Sequence, residues 1–204
     1  MRHRHPAVAM TFVAVAMTST AALGAGQPLD FAQTCLRYEA DIETIADTLS
    51  RDGWKQDVDA DADAVITGLI WIGVTDYFTT DTGGETLETI LALKAKTAAA
   101  LVRKKDIPQS KGRFLMRGED VLYVMWRQPA ISITEIECHA ALSADTVRDM
   151  SLDLDLASRP AFDQGPTEIS KDGRVNVTLL NAEKLAPHTP PGAVVQTYHT
   201  SRNQ

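Results

Sequence analysis

The chain has 204 residues, 44% hydrophobic and 23% charged, with a formal charge of −7. That apolar fraction is enough to bury a core, which excludes disorder over the whole chain, and the length suits one domain. The acidic balance, with a pI of about 5.2, excludes nucleic-acid binding through a basic surface.

Residues 1–26 read as a secretory signal peptide and 27–204 as a single α+β domain. Met1-Arg2-His3-Arg4-His5 is a basic start, Ala7–Met17 is apolar apart from Thr11, and Thr18–Gly26 is dominated by small residues. Cleavage fits after Ala21, Gly24 or Gly26. The apolar run is shorter than the roughly 20 residues of a spanning helix, which argues against an uncleaved anchor. The first cysteine, Cys35, follows Ala32-Gln33-Thr34, which is no lipidation motif. No later stretch is long and apolar enough to span a bilayer, so no integral membrane segment is expected after cleavage. The expected location is exported, periplasmic or extracellular. In such an oxidising compartment the two mature cysteines, Cys35 and Cys138, are expected to form a disulfide. The bridge would close a loop of about 100 residues, for which chain entropy gives about 4.7 kcal/mol.

The first mature element is an amphipathic helix over Phe31–Arg51, with Phe31, Cys35, Tyr38, Ile42, Ile45, Ala46 and Leu49 at three- and four-residue steps. Asp30 would cap it, Gly53 would stop it and Trp54 would fold back onto it. The alternating carboxylates Asp57–Asp63 suggest calcium, but positions 6 and 12 of an EF-hand loop starting at Asp57 would be Ala62 and Gly68. They read better as a solvated turn at the positive end of a helix. Residues 64–78 fit helix or strand; length and the lack of alternation favour helix. Thr82-Gly83-Gly84-Glu85 has capping-box spacing before a second long helix, Glu85–Lys104, with a stripe of Leu87, Ile90, Leu91, Lys94, Ala98, Leu101 and Val102.

After Gly112 the pattern turns to strands. Arg113–Arg117 and Val121–Trp126 flank Gly118-Glu119-Asp120 as a hairpin, and Pro129 is expected to end the second strand. Ile131–Leu142 is the third strand of a meander. It places Ile136, Cys138, Ala140 and Leu142 on one face and Glu135, Glu137 and His139 on the other. The disulfide would then tie the first helix to this strand. Ser143-Ala144-Asp145 opens a helix to about Leu156, with Val147, Met150 and Leu154 inward. Glu168–Lys171 and Arg174–Leu179 flank Asp172-Gly173 as a second hairpin. Ala193–His199 is expected to add a last edge strand.

Catalytic motifs are missing. G-x-S-x-G, the phosphate-cradling glycine loops and H-E-x-x-H are all absent, so no catalytic, cofactor-binding or metal-ligating residue is assigned and no cofactor is expected. His139, His188 and His199 lack ligand spacing and read as surface histidines. Glu135 and Glu137 lie about 7 Å apart by strand rise, within reach of paired-acid chemistry, yet a solvated sheet face is the plainer reading. Lys94-Ala95-Lys96 with Arg103-Lys104-Lys105 is a basic helix end, and Trp71, Tyr77 and Phe78 at helical spacing read as core.

The expected fold is α+β: helices of the N-terminal half pack on one face of a mainly antiparallel sheet from the C-terminal half. By exclusion, the expected function is a non-catalytic binding module of the cell envelope. The alternatives are a small hydrolase with a motif-free site and a carrier of a small apolar ligand held between helices and sheet. An envelope protein or such a ligand is the expected partner.

Overall fold

The computed structural model describes residues 29–37, 41–56, 62–80, 84–104, 111–150, 158–165, 167–170 and 173–202. The expected leader, Asp57–Asp61 of the acidic run, Thr82 of the expected capping box and the second half of the expected 143–156 helix lie outside these residues.

Among the described residues four helices precede the sheet. The amphipathic segment divides into α1 (Asp30–Arg37) and α2 (Ile42–Arg51) instead of running through. The cause is Asp41, whose side chain accepts from the backbone N–H groups of Glu43 and Thr44. That is N-cap geometry, and it requires extended backbone at Asp41 where a continuous helix would need helical angles. Gly53, with φ of 91°, ends α2, and Trp54 is buried edge-on against Phe31. The ambiguous stretch is helical, as α3 (Ala62–Thr80), with Asp63 in its first turn. The cap of α4 (Leu87–Arg103) is Thr86, accepting from Thr89 N–H.

The strands are β1 (Gly112–Arg117), β2 (Asp120–Ala130), β3 (Ile133–Leu142), β4 (Phe162–Gln164), β5 (Glu168–Ser170), β6 (Gly173–Leu180) and β7 (Ala193–Arg202). The short helix α5 (Ala144–Asp149) follows β3, capped by Ser143. All the strand pairs are antiparallel, in the order β1-β2-β3-β7-β6-β4, with β5 on β6. The meander forms as expected, and β5 pairs with β6; residues 171 and 172 lie outside the described residues, and Gly173, expected in the turn, is the first residue of β6, paired with Ser170. Two strand expectations do not hold. Pro129 does not end β2, which continues to Ala130 through an irregularity in register between Arg127 and Ala130. A strand tolerates proline where its ladder is already interrupted. The last strand is not an edge: β7 lies between β3 and β6, with Val194 and Val195 buried on opposite faces.

The fold is α+β, with N-terminal helices on a C-terminal antiparallel sheet. The helices divide between both faces of the sheet rather than sharing one. On one face α1, α2 and Trp54 pack against Leu115, Leu122, Val124, Ile136, Ala140 and Val195. The Cys35–Cys138 disulfide joins α1 to β3 within this layer. On the other face α3 and α4 pack against Phe114, Met116, Val121, Ala141, Leu180 and Val194. Among the described residues no helix is long and apolar enough to cross a membrane.

Candidate functional site

The face beneath α3 and α4 changes character along the strands. At one end it is apolar, through Val121, Ala141 and Val194, and α3 sits close: a Cβ on Gly68 would lie 2.7 Å from Val121 Cβ. Toward the other end the same face turns polar. Strand register aligns Tyr123, His139 and Gln196 in one row across β2, β3 and β7. The next row holds Met125, Glu137 and Tyr198, and Arg174 of β6 pairs with Tyr198.

Over this polar end the helix pair leaves a cleft of about 410 Å³. Its walls are Leu69, Ile72, Ala98 and Leu101, and its floor carries Tyr123, Glu137, His139 and Tyr198. Lys94 reaches the cleft across Gly73, where a Cβ would lie 2.9 Å from its Cδ. The lysine read as part of a solvated helix end thus lines a cavity, and Asp76 faces the same space.

The floor overturns two expectations. Glu137 and His139 are only 2% and 7% exposed, so this is not a solvated sheet face, and neither His139 nor His199 is a surface histidine. The alternation along β3 is as expected; the helical roof is what the alternation does not reveal. His188 alone of the three is partly exposed, 4.0 Å from Glu88.

The groups on the floor set one another's protonation. Arg127 Nη1 donates to Glu137 Oε1 at 2.5 Å. Burial pushes the Glu137 carboxyl above its usual range, and Arg127 opposes that push. His139 Nε2 lies 3.4 Å from Glu137 Oε2 but makes no hydrogen bond among the described residues. Burial, assisted by the Arg127 charge, lowers the imidazole to about 4, so His139 is neutral at pH 7 and the contact is not an ion pair. Tyr198 packs edge-on against His139. Its phenol is pushed up to about 12, first by burial and then by the Asp76 and Glu137 charges. Tyr123, stacked on Phe114, is raised by burial and by Glu137.

Both phenols therefore remain proton donors in hydrogen bonds, and the imidazole remains uncharged. The floor can recognise a polar group by hydrogen bonding. Among the described residues no set of three His, Cys, Asp or Glu side chains could hold a metal ion. Trp71, Tyr77 and Phe78 stay clear of this cleft. Trp71 is buried in the helix layer, and Phe78 stacks on Phe162 with Tyr77 edge-on. The chain matches no protein-family model, no curated protein and no solved structure.

Proposed function

We propose that this is an exported, non-catalytic binding protein that holds a small ligand between the α3–α4 pair and the sheet. The observation that supports this most is the His139 Nε2 atom: buried, without a hydrogen-bond partner among the described residues, on the floor of a cleft of ligand size. A buried polar atom left unpaired costs about 1–3 kcal/mol, which a ligand hydroxyl or amide would recover. The ligand is a small molecule with an apolar body for Leu69, Ile72, Ala98 and Leu101 and one polar group for His139 and the two phenols. This revises a wholly apolar ligand to an amphiphilic one.

Protonation places His139 and Tyr198 poorly for acid–base catalysis at neutral pH. A general acid or base works best with a pKa near the operating pH. His139 at about 4 and Tyr198 at about 12 stand far from neutrality on opposite sides.

Two measurements test the reading. Titration with p-cresol and n-hexanol, each an apolar body with one hydroxyl, should shift the His139 imidazole resonances and raise the melting temperature of the wild type but not of His139→Phe. Absence of both effects for both probes would remove the ligand reading. Export is checked by N-terminal sequencing of protein from the producing cell. Chains starting after residue 21, 24 or 26 support it, and cytosolic chains starting at Met1 contradict it.

A further inference from the structure

A second cavity, of about 350 Å³, lies by the C-terminal end of α3 and shares Tyr198 with the cleft. Its chemistry is different. Three strands contribute amide side chains: Gln164 from β4, Asn176 from β6 and Gln196 from β7. Asn176 and Gln196 are direct register partners, and Gln164 is paired with Thr178, another lining residue. Thr79 and Thr80 add hydroxyls from α3, and Arg174 lies over the Tyr198 ring at 4.5 Å. Among the described residues lining it there is no carboxylate.

One lining group is unmet. Gln196 is 4% exposed, and its Nε2 finds no hydrogen-bond partner among the described residues. A buried amide donor facing a polar cavity is a strong demand for an acceptor. Amide groups present a donor and an acceptor in one plane at fixed spacing, and the guanidinium adds donors alone, which together suit neighbouring hydroxyls on a ring. The Thr79 and Thr80 hydroxyls on the opposite wall donate to backbone carbonyls of α3 and keep their lone pairs free to accept from a ligand. The missing carboxylates remove any preference for a cation. We propose that this cavity is a saccharide site, in which Gln196 and Asn176 bind adjacent ring hydroxyls. The site stands apart from the small-ligand reading of the cleft, because it depends on β4, β6 and β7 side chains rather than on Glu137 and His139.

The test uses the full mature chain on an array of neutral and acidic mono- and oligosaccharides, with binding measured by calorimetry for each hit. Gln196→Met keeps the volume and removes the amide; Asn176→Ala changes a half-buried side chain and serves if the first variant fails to fold. Each should weaken binding about tenfold, the equivalent of one lost hydrogen bond. Glu43→Ala, on α2 over the other face of the sheet, should bind saccharides as the wild type does. The proposal is overturned if no saccharide on the array binds, or if folded Gln196→Met or Asn176→Ala binds every hit unchanged. Saccharide affinity lost in His139→Phe but kept in both amide variants would place the sugar in the cleft and also overturn it.

Discussion

The two faces of the sheet are built from alternate residues of the same strands, yet they differ in kind. The α1–α2 face is apolar along Ile136, Cys138, Ala140 and Leu142 of β3, each 1% exposed or less, and a disulfide crosses it. The α3–α4 face carries Glu137, His139, Gln196 and Tyr198 under its helices, with two cavities beside them. Where that face is apolar it gives stability without demanding partners, and its β7 row also buries His199 and Thr197, the latter donating to Cys138 O. A polar layer with unmet donors is costly in a folded chain, because a low-dielectric interior strengthens the penalty for each unpaired group. A protein that keeps such a layer places its local inconsistency where a function resides.

The comparison is broken most severely by removing the covalent tie. Cys35→Ser with Cys138→Ser should lose up to about 4.7 kcal/mol of unfolding free energy, given a loop of 103 residues. Urea denaturation reads this, and a loss below about 1 kcal/mol would mean that apolar packing alone secures that face.

Acid should act on the other face. The folded imidazole of His139 sits at about 4 against 6.5 when free, so between those values the unfolded chain binds the extra proton. Stability therefore rises with pH across that window and falls on acidification, by on the order of 3 kcal/mol for this group. Glu137, raised by burial, works in the opposite sense just above its usual range and reduces the net slope. Unfolding free energies at pH 4.5 and 7 should differ less in His139→Gln than in the wild type. An imidazole titrating near 6.5 by NMR would contradict the burial argument.

Gly68→Ala probes how tightly α3 is seated. The added methyl meets Val121 below van der Waals distance, so the helix must lift, at a cost of about 1–3 kcal/mol. A lifted α3 should also alter probe binding in the cleft; unchanged stability and binding together would show that the roof adapts freely. The smallest effect is expected at the surface. Arg113 of β1 pairs with Glu43 of α2, with side chains 28% and 58% exposed, and Glu43→Ala should cost no more than about 1 kcal/mol. A larger loss would make that pair part of the clamp.

Much of the fold was legible because it depends on short-range rules. Gly118 marks the β1–β2 turn, and Gly173 marks the start of β6. The stripe on α4 marks Ile90, Ala98 and Val102, all of which are buried. The break between α1 and α2 was missed because apolar spacing runs unbroken through Asp41, whereas the cap is decided by its side-chain hydrogen bonds. The cleft was missed for a related reason. Glu135-Ile136-Glu137-Cys138-His139 reads as a half-solvated strand, since alternation reports which residues share a face and not what covers it. Lys94 gave one usable signal, a lysine within an otherwise apolar helical stripe.

By itself the sequence determined the helices and hairpins, the even cysteine count and the α+β class, because caps, turns and periodicity act over a few residues. Only the tertiary structure decided that α3 and α4 roof the acidic side of β3 and that β7 sits in the middle of the sheet. Those outcomes follow from contacts between residues far apart in the chain. Burial there, not residue type, leaves His139 and Gln196 in need of a partner.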